Sequence, residues 1–212
     1  MSEIIVFYDK SNPETPIHVD RIDKKNPVYA DKFLHVIDVI LFNSYGEVLL
    51  QKRARHKSWA WLLHTSIWWH VNMWEDPEFT VIHECLEEIW VPAILTTSDK
   101  FQMYYNRLSA STDRCALLTQ VRYYFDDMPF ENPITWTTYR AYDRRYLCYW
   151  IYDWPLQSVD RDAWWFIYMT LDEILQTIKD KNPILTPPLM HMITNNIDTL
   201  IEFKNHYCNK LS

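Results

Sequence analysis

Glu75-Asp-Pro-Glu-Phe-Thr-Val-Ile-His-Glu-Cys-Leu-Glu-Glu-Ile-Trp-Val91 is the stretch on which the fold turns. Asp76 is a good helix N-cap and Pro77 suits the first helical position. Pro92 ends the segment, so the sequence predicts a helix from about Pro77 to Ile89. Ile82, Cys85, Leu86 and Ile89 follow i, i+3, i+4, i+7 spacing and are expected to form its buried face. Glu84, Glu87 and Glu88 then gather on the opposite face. Like charges at this spacing destabilise a helix by roughly 0.2–0.5 kcal/mol per pair, and the helix dipole disfavours them near the C-terminus. No lysine or arginine occurs from Ser58 to Asp99, a span that carries Glu75, Asp76, Glu78, Glu84, Glu87, Glu88 and Asp99. The cluster therefore faces water, meets cations from elsewhere in the fold, or holds a metal. Clustered carboxylates select Mg²⁺, Ca²⁺ or Mn²⁺ over softer ions.

Upstream of this helix, Phe33 to Phe42 is rich in β-branched and apolar residues. Asn43-Ser-Tyr-Gly46 signals a turn, and Glu47 to Arg53 reads as the returning strand. Residues 3–8 suggest a short strand, followed by a polar, proline-containing stretch to about residue 32. Residues 60–73 read as loop and strand. Downstream, strands are expected around Phe101–Tyr105, Gln120–Phe125, Tyr146–Tyr152 and Trp164–Met169. A short helix is predicted at Leu171–Ile178 and a last one at about Leu189–Phe203. Strands alternating with helices indicate a mixed α/β domain.

The chain has 212 residues, 48% hydrophobic and 23% charged, which suits one domain with extensions. A net charge of −7 argues against general nucleic-acid binding. No apolar run approaches the roughly 18 residues of a membrane helix. The N-terminus lacks signal-peptide features, and Cys85, Cys115, Cys148 and Cys208 form no CxxC pair, so reduced thiols in a cytoplasmic protein are expected. One number is abnormal: a single glycine, Gly46, against 11 tryptophans. Average usage of about 7% predicts roughly 15 glycines in a chain of this length.

The stretch from Trp69 to Val91 resembles the Nudix box: a glycine, five residues, Glu, seven residues, Arg-Glu, an apolar residue, any residue, Glu-Glu, any residue, glycine and an apolar residue. Glu75 fits the first glutamate. Glu84, Glu87 and Glu88 fit the three metal-binding glutamates, and Cys85 and Val91 fit the apolar positions. Phe42 to Arg53 looks like the strand-turn-strand before the box in this superfamily, and Thr65-Ser-Ile-Trp-Trp-His-Val71 looks like the strand leading into it. The likeness covers about residues 33–175. The N-terminal layout is similar to the subgroup related to isopentenyl-diphosphate isomerase. Both box glycines are tryptophan here, at Trp69 and Trp90, and the box arginine is His83. Trp68, Trp74, Trp154, Trp164 and Trp165 also stand where turns or small residues would be comfortable. Glycine scarcity and tryptophan excess thus look like one phenomenon, as if the glycines of a Nudix sequence had been replaced. Trp90 falls where a left-handed residue is favoured after a helix.

The resemblance implies an α/β fold with a Nudix-type mixed sheet sandwiched between helices. It implies an N-terminal extension with a short strand (1–32), a Nudix-like domain (33–180) and a C-terminal helix packed on it (181–212). The implied activity is Mg²⁺-dependent hydrolysis of a nucleoside diphosphate linked to another moiety, or a related organic diphosphate, with Mn²⁺ as a second ion. Glu84, Glu87 and Glu88 would be catalytic and hold the metal, with the backbone carbonyl near Trp68 as a further ligand. Lys52, Arg53 and neighbouring Arg55 would meet phosphate, although a solvated strand end is the readier explanation of a basic run. His70 would touch substrate. Glu75 would be structural support and His83 a weakened orienter. Glu131, Asp160, Asp162 and Glu173 each qualify as a general base outside the box. The partner implied is a small-molecule diphosphate, with no nucleic acid and no membrane, and a homodimer is compatible. Two alternatives compete: a non-catalytic Nudix-fold protein, and an isomerase-like enzyme. The second is weakened by Trp68, which stands where those isomerases use a cysteine.

Overall fold

Phe33–Phe42 forms a central strand, as its β-branched run predicts; it is the third in chain order, β3. The computed structural model describes residues 4–9, 11–20, 23, 26–29, 32–108, 115–131, 138–153 and 163–208. Before β3 lie β1 (Ile4–Asp9) and β2 (Asn12–Asp20), a hairpin that joins the sheet where Phe7 and Tyr8 pair with Leu34 and Phe33. The polar, proline-containing stretch up to residue 32 carries no strand assignment from the sequence. Ile17 and Val19 decide for a strand, because they alternate and pack on Ile5 and Phe7.

After the turn at Asn43–Gly46, β4 (Glu47–Arg53) pairs with β3 only at Phe42 and Val48, then diverges. Two short strands fill the opening. β5 (Leu63–His64) pairs with β4, and β6 (Ile67–His70) pairs with β3 over Val36–Val39. Ser66 wedges the fork: its Oγ accepts from Leu41 N at 2.9 Å and donates to Leu49 O at 2.7 Å. Helix α1 (Pro77–Ile89) follows, then β7 (Ala93–Thr96), α2 (Ser98–Leu108), β8 (Ala116–Glu131) and β9 (Thr138–Ile151). The chain ends with β10 (Ala163–Thr170), α3 (Leu171–Lys179), α4 (Pro187–Asn195) and α5 (Ile197–Tyr207). The main sheet runs β10-β4-β3-β9-β8-β7, with β3/β9 and β7/β8 parallel and the other pairs antiparallel.

Alternation along the strands fills two cores. Ile37, Val39 and Leu41 of β3 join Tyr146, Cys148 and Trp150 of β9 beneath Val81, Cys85 and Ile89 of α1. Ile40, Phe42, Leu147 and Tyr149 point the other way, into Phe101 of α2, Ile174 of α3, Leu189 of α4 and Phe203 of α5. The sheet is therefore sandwiched between helices, as the sequence led one to expect. Two elements differ from expectation. Phe101–Tyr105 is helical: Phe101 and Tyr105 lie one turn apart, stack at 6.2 Å and both meet Tyr207. Their aromatic character favours strands, but this i, i+4 burial wins. The last predicted helix is two, broken at Asn196, whose Nδ2 donates to Met192 O at 2.8 Å. No helix among the described residues is long and apolar enough to cross a membrane.

Candidate functional site

Helix α1 begins and ends as its sequence dictates. Asp76 caps it, accepting from Phe79 N at 2.7 Å, and Pro77 opens the first turn. Trp90 closes it in the left-handed region, φ 60° and ψ 37°, with its N–H turned back to Leu86 O and Val91 N bonded to Cys85 O. The helix is rolled differently from the expected orientation. Val81, Cys85 and Ile89 are buried as the core row, but the neighbouring buried row is Thr80, Glu84 and Glu88. Glu84 is only 3% exposed and Glu88 4%, whereas Ile82 is 39% and Leu86 44% exposed. The row 81/85/89 can share burial with 80/84/88 or with 82/86. Hydrophobicity alone favours the second; the fold adopts the first. Burying a carboxylate is costly unless it is paired, hydrogen-bonded or bound to a metal. Such a break with the polarity rule is characteristic of a functional site.

Around this pair the box residues hold one another. His83 Nε2 lies 3.1 Å from Glu87 Oε1, and His83 Nδ1 lies 3.7 Å from Glu75 Oε1, too far for a hydrogen bond. Thr80 Oγ1 donates to Glu75 Oε2 at 2.9 Å, and Phe79 stacks on the imidazole at 5.6 Å. Glu75 is thus held by Thr80, and His83 pairs with Glu87. Donor atoms of His83, Glu84 and Glu87 lie within 4.8 Å of one another, a spacing that fits one cation. Cys85, next to these carboxylates, has its thiol pushed well up by burial, then by Cys148, Glu88 and Glu84, so it is a protonated core residue.

The other sequence candidates divide between the two faces of β6. Trp69 is paired with Ile37 and packs on the α1 side. Lys57 Nζ sits 5.4 Å above its ring. Lys57 was missed in the sequence; its signal was its place as the last cation before the lysine- and arginine-free span. Trp68 and His70 are paired with Asp38 and Val36, which puts their side chains on the opposite face. There Trp68 meets His70 at 4.7 Å and His64 at 5.9 Å, edge-on and tilted. His70 is 3% exposed. Its side chain therefore does not join the carboxylates of α1. Lys52 lies over Trp165 at 5.2 Å, and Arg53 Nε donates to Ser58 O at 2.8 Å. Burial keeps His64 well below the ordinary imidazole range, with Arg53 and Arg145 adding to the effect.

A second buried cluster occupies that opposite face. Arg145 donates to Asp38 Oδ2 at 2.6 Å and to Asp143 Oδ2 at 2.7 Å. Its Nε lies 3.0 Å from Asp126 Oδ2, near enough for an ion pair though off the hydrogen-bond axis. His191 Nε2 of α4 is 2.9 Å from Asp126 Oδ1. Among the base candidates, Glu173 is committed elsewhere: it accepts from Thr170 N at 2.8 Å in the capping box of α3. Asp160, Asp162 and Trp154 lie outside the described residues, as does the side chain of Glu131.

Neither a known family's sequence pattern nor any curated protein matches this chain. Solved structures do. A Deinococcus radiodurans protein superposes with a TM-score of 0.60 over 91% of this chain and 98% of its own, at 15% identity. The NUDIX domain of NrtR from Shewanella oneidensis, solved with ADP ribose, gives 0.52 over 86% and 99%, at 13% identity. At such identities the likeness is one of backbone, and the backbone is that of the Nudix fold.

Proposed function

We propose that the chain is a divalent-cation-dependent hydrolase of organic diphosphates, of the class in which a nucleoside diphosphate is linked to a second group. What carries the reading is the burial of Glu84 and Glu88 beside Glu87 and His83 on the helix that follows β6. Glu84, Glu87 and Glu88 hold the ion, Mg²⁺ or Mn²⁺, and the backbone carbonyl of Trp68 is the further ligand. All-oxygen donors of this kind suit hard cations. When bound, the ion supplies Lewis acidity to diphosphate oxygens and to an attacking water. The chain's own part is positional. Thr80 fixes Glu75, His83 fixes Glu87, and the α1 core row fixes the helix against β3. Lys52 and Arg53, at the end of β4, are the phosphate-binding cations.

ADP-ribose is the first substrate to offer, because the Shewanella domain was solved with it. Cleavage is expected with Mg²⁺ and not after chelation. Glu84→Gln and Glu88→Gln should each slow it by about 100-fold, a barrier increase of about 2.7 kcal/mol. Folded protein that leaves ADP-ribose and a panel of dinucleoside and sugar diphosphates intact in Mg²⁺ and Mn²⁺ would count for a non-catalytic protein. Conversion of isopentenyl diphosphate to its allylic isomer would count for the isomerase-like alternative.

A further inference from the structure

Four described residues other than glycine have positive φ: Trp59 at 54°, Trp61 at 70°, Trp90 at 60° and Lys181 at 51°. A left-handed backbone brings the β-carbon against the following carbonyl, so it is the province of glycine and, less often, of Asn and Asp. For a bulky residue it is an outlier. Three of the four are nevertheless tryptophan. The chain has 14 tyrosines and nine phenylalanines, and none of those described takes positive φ. Aromatic bulk is therefore not what these positions select. Nor is burial the reason, since Trp61 is 44% and Trp90 62% exposed. Where the chain does have its single glycine, Gly46, the backbone is again left-handed, at φ 78°.

Three further observations point the same way. Trp69 and Trp90 fill the two positions where the box pattern carries glycine. The indole N–H groups of Trp68 and Trp150 are buried with no hydrogen-bond partner among the described residues, whereas buried indoles usually find one. Adding the 11 tryptophans to the single glycine brings the total close to the roughly 15 glycines expected of this length.

We infer that the codon read as tryptophan at Trp59, Trp61, Trp69 and Trp90 is decoded as glycine by the cell that makes this protein. The codon is UGA. It lies one base from the tryptophan codon UGG and one base from the glycine codon GGA, so a single anticodon change turns this stop signal into either residue. A codon has one meaning in one cell, so every tryptophan written UGA changes together. Glycine at 69 and 90 takes two indoles away from the carboxylate helix and relieves the backbone at its end.

Two measurements test this. The gene should carry UGA at all four positions. Protein purified from its own host should yield peptides spanning 59, 61, 69 and 90 that are each lighter by the tryptophan-to-glycine mass difference at every such position. UGG at 59, 61, 69 or 90, or peptides of tryptophan mass, overturns the inference. Neither measurement depends on activity, so its outcome is separate from that of the hydrolase reading.

Discussion

Two groups of buried carboxylates lie on opposite faces of one sheet, and they are built differently. On the α4 face, Asp38, Asp126 and Asp143 surround Arg145, which is 1% exposed and meets all three. Burial works against the Arg145 charge, but Asp38 and Asp143 more than offset it and hold the guanidinium protonated. On the α1 face, Glu84 and Glu88 belong to a span with no lysine or arginine from Ser58 to Asp99. One cluster carries its cation within the ladder; the other is assembled on a helix that supplies none. The first is the architecture of a structural ion network; the second is the cluster to which the proposed function assigns the exchangeable ion.

The comparison breaks first at Arg145. Arg145→Met leaves three carboxylates around an apolar stem and should destabilise the fold by about 3–5 kcal/mol, the usual cost of removing one partner from a buried ion pair. Urea denaturation measures this, and a loss under about 1 kcal/mol would mean the network is not structural. On the α1 face the effect should depend on the ion. Mg²⁺ or Mn²⁺ at about 100 times its dissociation constant should stabilise the protein by about 2.7 kcal/mol. That gain should vanish in Glu88→Gln and persist in Asp143→Asn. Equal gains in both variants would erase the distinction between the clusters.

A pH series sharpens it further. Burial, opposed by Arg145, pushes the Asp143 carboxyl from 3.8 up to about 6. A carboxyl raised in the native state binds its proton more tightly folded than unfolded. Its contribution is thus fully present below about 3.8 and is lost as pH rises through about 6. Wild type should lose on the order of 2–3 kcal/mol relative to Asp143→Asn across that window. Parallel stability curves for the two proteins would show that Asp143 is ionised throughout.

Much of this was legible in the sequence because local signals agree with the tertiary outcome. β3, β4 and α1 run Phe33–Phe42, Glu47–Arg53 and Pro77–Ile89, as the β-branched run, the Asn-Ser-Tyr-Gly turn and the Asp-Pro cap suggested. The roll of α1 was not legible. Two rows flank Val81, Cys85 and Ile89, apolar Ile82 and Leu86 on one side and Thr80, Glu84 and Glu88 on the other; hydrophobicity points to the first, and only the packing against β3 and β6 selects the second. The Arg145 network was hidden for a different reason: its members are up to 107 residues apart and alternate with core positions along β3 and β9. Helix α2 was misread because Phe101, Tyr104 and Tyr105 are strand-favouring residues whose contacts with α5 cannot be seen locally.

The smallest expected effect lies at the end of α1. Trp90 is 62% exposed, so removing its indole forfeits little buried area. Its cap bonds to Leu86 and Cys85 are made by the backbone N–H, which glycine keeps. Relief of φ 60° should return about 1–2 kcal/mol. Glycine's greater freedom in the unfolded chain takes back about 0.4–1 kcal/mol. Trp90→Gly should therefore stabilise the protein by about 0.5–1 kcal/mol, read as a higher thermal midpoint. Trp90→Ala separates the causes: it removes the indole but keeps the β-carbon that clashes in the left-handed region. If alanine stabilises as much as glycine, the indole and not the backbone is the source of strain, and the left-handed cap is no argument for glycine at this position.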